Sequence, residues 1–187
     1  MDTKSIDWLS DWLMGLGVQE TSTTYLKLAI LLFAVFVISY VTNLIVKKVL
    51  VRSIRSVIKK TKTVWDDALV ENKVFISLSH IAPAIVLSLA TPLIFEDFTG
   101  AIPYIIRLVN VYFSVVLIIV TLNILNTLKF YSKNTKLFKD NPLDSYFQLA
   151  NIATYIIGGI IILSFLLDKS LVYFFSALGA MTVVLLL

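Results

Sequence analysis

Residues Leu28 to Val46 read LAILLFAVFVISYVTNLIV, nineteen positions without a charge, closed by Lys27 on one side and by Lys47–Lys48 on the other. A helix needs roughly 20 mostly apolar residues to cross about 30 Å of hydrocarbon. Inside that layer every backbone amide must be satisfied by the chain itself, so a lone apolar run of this length is a helix. Working outward, four more segments share the pattern: Val74 to Phe95, with His80, Pro83 and Pro92 in it; Ile102 to Leu128, with Arg107 near its start; Ser145 to Leu167; and Ser170 to Leu187. The expected fold is an all-α membrane protein of about five transmembrane helices. The last segment is still apolar at Leu187. Its final carbonyls would go unsatisfied in lipid, so continuation of the protein beyond this point is expected.

Composition agrees. Of 187 residues 58% are hydrophobic and 15% charged, against about 25% charged in soluble domains. There is no cysteine, and His80 is the only histidine, which leaves no thiolate chemistry and little scope for histidine catalysis. No catalytic residue, metal or cofactor is expected. The net charge of +4 lies beside apolar runs, a placement that suits anionic lipid headgroups rather than nucleic acid. The opening MDTKSIDWLSDWLMGL is acidic and lacks the basic start of a cleavable signal.

The cations fix an orientation. Eight lie between Lys47 and Lys73, and four more at Lys129, Lys133, Lys136 and Lys139, twelve of the sixteen in the chain. These two loops, 47–73 and 129–144, are therefore expected on the cytoplasmic side, with the N-terminus outside and the C-terminus inside. In residues 1–20, Trp8, Leu9, Trp12, Leu13 and Leu16 alternate with Asp7, Ser10 and Asp11. That is the stripe of an amphipathic helix lying on the outer surface.

Local signals mark helix ends. Thr63 with Asp66 resembles a capping box, and this reading of Trp65-Asp66-Asp67 outweighs a paired-carboxylate site. Asn141-Pro142 before Asp144 is a cap followed by a first-turn proline and an acid. Leu167 to Ser170 leaves room only for a tight hairpin. From Leu44 to Lys60, Val46, Leu50, Ile54, Val57 and Ile58 recur at helical spacing, with Lys48, Arg52, Arg55 and Lys59 opposite. This basic continuation of the first span suits the anionic cytoplasmic leaflet, at about 1 kcal/mol per cation. Arg107 can snorkel to phosphates, and His80 is expected near the headgroups. Asn123, Asn126, Gln148 and Asn151 are candidates for interhelical hydrogen bonds, each worth under about 2 kcal/mol. Gly158-Gly159 permits either a kink or close packing.

The last span, SLVYFFSALGAMTVVLLL, gathers Ser176, Ala177, Gly179 and Ala180 within a turn and a half. Small residues let helices approach closely where lipid gives no hydrophobic drive. Two readings stay open on spacing alone: a pore-lining helix of a homo-oligomer, or a helix packed within a monomeric bundle.

The stretch LGAM at Leu178 to Met181 with VVLLL after it, KTKTVWDDALVENKVF from Lys60 to Phe75, and HIAPAIV from His80 to Val86 together resemble the small-conductance mechanosensitive channel family, miniconductance branch. The resemblance covers roughly residues 60–95 and 145–187. It implies a homoheptamer, a pore lined by the last span, and cytoplasmic domains after it. It places the two hydrophobic constriction rings on Val183 and Leu187, four apart on one helical face. The Val- and Leu-rich continuation is bulkier than the family's Gly/Ala-rich pore helix. On this reading residues 21–169 form a four-helix sensor paddle and 170–187 begin the pore helix. The partners are then other copies of the chain, membrane lipids and permeating ions, and tension opens the channel to protect the cell from hypo-osmotic shock. A secondary transporter, or a membrane anchor for a missing domain, is the alternative. Ionisable residues are lacking at the span centres, which counts against ion-coupled transport.

Since the chain has no cysteine, single cysteines report topology cleanly. A cysteine replacing Glu96 should react with an impermeant thiol reagent outside intact cells, and cysteines at Lys59 and Lys136 should react only after lysis. Labelling of the Lys59 site in intact cells would reverse the orientation.

Overall fold

The computed structural model describes residues 7–58, 64–134 and 143–187. The apolar run quoted first lies inside α2, Glu20–Ile58, a single helix of 39 residues. At 1.5 Å per residue it is about 58 Å long, roughly twice the hydrocarbon thickness. The basic stretch after Lys47 therefore continues the same helix. Before it comes α1, Asp7–Gly15, where Leu9 and Leu13 are buried and Trp8 and Trp12 stand exposed. Each pair is one turn apart, so the helix divides its apolar residues, leucines inward and tryptophans outward. Gly17 makes the turn into α2 with φ 85°, a conformation an L side chain resists.

The second expected span is broken. Helices α3 (Val64–Glu71), α4 (Val74–Ser79) and α5 (Ile81–Ile94) follow one another, with Lys73 left-handed at φ 57° between the first two. The break at His80 has a covalent cause. Pro83 has no N–H for the Ser79 carbonyl, and its ring crowds that carbonyl. Restarting the helix at Ile81 puts the proline in a first turn, where it is tolerated. Pro92 lies inside α5, which ends two residues later at Ile94.

A short 3-10 helix, Glu96–Ala101, leads into α6, Ile102–Asn134, of 33 residues. Then come α7, Asp144–Leu167, and α8, Leu171–Leu186. Four stretches are long and apolar enough to cross a membrane: Ser22–Ser53, Val74–Ile94, Glu96–Lys133 and Asp144–Leu167. With no strand among the described residues, the chain is an all-α, membrane-embedded protein. The fifth segment, α8, has 16 residues, about 24 Å, which is short of a full span by itself. Thr63, Asn141 and Pro142, which were read as caps, lie outside the described residues. Asp144 opens α7 as its first residue, after Leu143.

The helices pack in a row: α2 on α4 and α5, these on α6, and α6 on α7 in the most extensive pairing, with α8 attached to α7. The core is thin and holds Ala84, Ile94, Val109, Val116, Val120 and Ile160. Large apolar side chains cover the outside; Phe33 and Phe36 are each 70% exposed. Small hydroxyls face inward and bond their own helices, Thr91 to the Leu87 carbonyl (2.7 Å), Ser114 to Asn110 (2.8 Å) and Thr127 to Asn123 (2.8 Å). Apolar outside with hydroxyls within is the distribution that lipid rewards.

Of the two options for Gly158-Gly159, close packing holds at Gly158. A Cβ built there would overlap Ile118 Cδ1 on α6, whereas one on Gly159 meets nothing within 4 Å. Gly158→Ala should therefore destabilise the α6–α7 pair by about 1–3 kcal/mol, and Gly159→Ala should not. Denaturation of both variants in mixed micelles measures this, and equal stabilities would refute the contact.

Candidate functional site

The α7–α8 connection is built residue by residue. Asp168 ends α7 in the left-handed region at φ 54°, and the Lys169 N–H reaches back to the Ser164 carbonyl at 3.1 Å. The Ser164 hydroxyl also donates to the Lys169 carbonyl. Ser170 then caps α8, its hydroxyl oxygen accepting from the Tyr173 N–H at 3.3 Å. Six-residue back-bonding of this kind closes a helix end compactly, so α8 leaves through a stiff turn.

That turn is fastened to the bundle. The Asp168 carboxylate pairs with the Arg107 guanidinium of α6, which lies 5.4 Å from the centroid of the Tyr104 ring. Arg107 was expected to contact lipid headgroups; it engages an acid of its own chain, and its side chain is 30% exposed. Asp168 lies 61 residues from Arg107 in the chain, so nothing in the sequence aligned the two.

Beyond the turn α8 stands clear. Every side chain from Phe175 to Leu187 is exposed, among them Ser176, Ala177, Gly179, Ala180, Val183 and Leu187. The place where a Gly179 Cβ would sit has nothing within 4 Å. Within this one chain the helix does not enter the bundle, so its small-residue cluster is unused by internal packing.

At the other end of the bundle, polar groups meet across helices. Asn43 of α2 accepts from the Ser79 hydroxyl at 3.1 Å, and Asn123 of α6 donates to Ser77 at 2.7 Å. Tyr112 donates to the His80 carbonyl at 3.3 Å, and His80 Nδ1 lies 2.9 Å from the Ile76 carbonyl. The α4–α5 break is thus held by α2 and α6 together. Of the four amides singled out by sequence, Asn123 bonds across helices. Asn126 and Gln148 are exposed, and the Asn151 carbonyl oxygen is buried without a protein partner. Sequence reading missed Asn43, Ser77 and Ser79; polar residues within apolar spans were the available signal.

Ion pairs fix the helix ends. Lys27, buried on α2, meets Asp97 at 3.0 Å, and Lys129 and Lys133 of α6 meet Asp144 of α7 at 3.1 and 3.0 Å. Of the proposed headgroup contacts, Lys48 and Arg52 are exposed on α2. Arg55 lies on the same helix, and Lys59 lies outside the described residues. No group of three or more His, Cys, Asp or Glu among the described residues is arranged to hold a metal. No family model, curated protein or solved structure matches this chain.

A double-mutant cycle tests the amide bridges. Asn123→Ala and Ser77→Ala should couple by about 0.6 kcal/mol, with about 1.7 as the upper bound for such pairs in membranes. Independent effects would show that the bridge carries no energy.

Proposed function

We propose that this chain is the membrane part of a mechanosensitive channel of the small-conductance family, miniconductance branch, opened by tension and releasing ions and small solutes. The observation that carries the reading is α8, an apolar helix with a small-residue cluster, joined to the bundle by a stiff turn and exposed along its whole length beyond Phe174. A helix of that composition can be completed by copies of itself, and the motifs from Leu178 to Met181 and from Lys60 to Phe75 supply the family resemblance.

On this reading α8 is the fifth span and lines the pore of a homoheptamer in a bacterial inner membrane. Ser176, Ala177, Gly179 and Ala180 pack against neighbouring copies. Val183 and Leu187 form two apolar rings one turn apart. A narrow apolar ring excludes water, so ions meet a desolvation barrier without a steric plug. The other helices, α2 to α7, form the lipid-facing paddle, with α1 and its exposed tryptophans on the outer surface. Lys48, Arg52, Arg55 and Lys59 meet anionic headgroups on the cytoplasmic side. Tension selects the open state because that state occupies more membrane area.

The gate is testable by wetting it. Val183→Ser or Leu187→Ser should lower the suction needed to open channels in spheroplast patches, since each subunit loses roughly 1 kcal/mol or more of apolar contact. The larger effect is expected at Leu187, whose side chain closes more of the lumen. Leu89→Ser, on an exposed site of α5, should behave as wild type. If the ring variants match that control, or if no tension-dependent current appears, the channel reading fails.

A further inference from the structure

Helix α5 is set between α2 and α6, leaving a groove of about 710 Å³ that is floored by Pro83, Leu87 and Thr91 and walled by Leu32, Ser39 and Val109. That volume is ordinary for a ligand site. Its lining is mostly apolar, but α2 contributes Ser39 and Asn43 to it, and Lys47 stands just past its end, one turn beyond Asn43. Ser39, Asn43 and Lys47 follow one another at intervals of four residues.

Each of the three has spare bonding capacity. Ser39 is 8% exposed, lines the groove, and its hydroxyl has no partner. It departs from Thr91, Ser114 and Thr127, which bond carbonyls of their own helices. Asn43 spends its carbonyl oxygen on Ser79, which leaves both amide hydrogens for another acceptor. Lys47 is exposed at the end of the apolar run. Hydroxyl, amide and ammonium thus succeed one another from the membrane interior toward the headgroups.

We propose that this groove binds one anionic phospholipid from the leaflet on the Lys47 side. Its phosphate meets Lys47, its ester carbonyl meets the Asn43 amide within reach of Ser39, and one acyl chain runs along α5 toward Leu32. From Asn43 to Leu32 the groove follows eleven residues of helix, about 16 Å. That matches one leaflet's hydrocarbon depth of about 15 Å. The charge order matches a phospholipid read from phosphate to tail. The inference needs only the membrane-embedded fold and is independent of the channel reading.

The test uses the full chain, reconstituted in vesicles of phosphatidylglycerol and phosphatidylethanolamine, then extracted mildly for native mass spectrometry. Wild type should retain one phosphatidylglycerol per chain. Lys47→Gln should lower the preference for phosphatidylglycerol over phosphatidylethanolamine about tenfold, the loss expected of one charge-assisted contact. Leu87→Trp, which fills the groove, should abolish retention, whereas Leu89→Trp, exposed on the same helix, should not. If Leu87→Trp does not fold, wild type still decides the matter. A phosphatidylglycerol with a photoreactive tail should then label Leu87 and Val109, saturably. The proposal is overturned if Leu87→Trp folds and retains lipid like the control, if Lys47→Gln leaves the headgroup preference unchanged, or if the probe labels only exposed residues such as Phe33 and Leu149 without saturation.

Discussion

In hydrocarbon a polar group has no solvent to fall back on, and this constraint shapes the bundle. Pro83 releases the Ser79 carbonyl and splits the second span at His80. A split helix is tolerable there because α2 and α6 supply polar partners on either side. Asn43 accepts from Ser79 and Asn123 donates to Ser77, both serines lying in α4 just before the break, and Tyr112 donates to the His80 carbonyl. The break thereby becomes the point where three helices are tied together. Remove its partners and the same proline would leave unpaired groups in lipid, each costing several kcal/mol.

Charge obeys the same rule by position. The ion pairs join helix ends: Lys27 with Asp97, Arg107 with Asp168, and Lys129 and Lys133 with Asp144. The pairs of Asp168 and Asp144 are partly exposed and contribute geometry more than stability, whereas Lys27 is buried against Asp97. Two of them clamp α6 to α7 at opposite ends, and the Gly158–Ile118 contact sets their closeness between the clamps. The α6–α7 pair is thus joined at both ends and packed closely between them.

Much of this was legible in the sequence, and what was not follows from pairing. The span from Leu28 to Val46 needed only its lack of charge, and the basic continuation to Ile58 needed only helical periodicity. Pro83 was visible in the second span, but a break at His80 depends on which carbonyl loses its partner. The pairing of Arg107 was not legible, because a sequence shows the charge without showing that the acid 61 residues away meets it. Likewise, Gly158 and Gly159 are equivalent as letters; only the neighbouring Ile118 separates them. The exposure of α8 could not be read from composition, because a helix apolar all round fits equally inside a bundle, against lipid or against its own copies.

Charge pairing and backbone closure meet at Asp168. Because α6 and α7 are clamped together, a tilt of either carries the other, and the turn at Asp168 moves with both. That turn is closed by bonds from Ser164, Lys169 and Ser170 and leaves no slack before α8 begins. A displacement of the bundle is thus delivered to the start of α8, whereas every side chain from Phe175 onward is exposed in this chain. On the channel reading this is the transmission a tension sensor requires, with a broad lipid-facing surface and a rigid pair linked by a short turn to a free helix. The Arg107–Asp168 pair is then the joint itself. Loss of that acid would loosen the coupling between bundle and pore helix while leaving both intact.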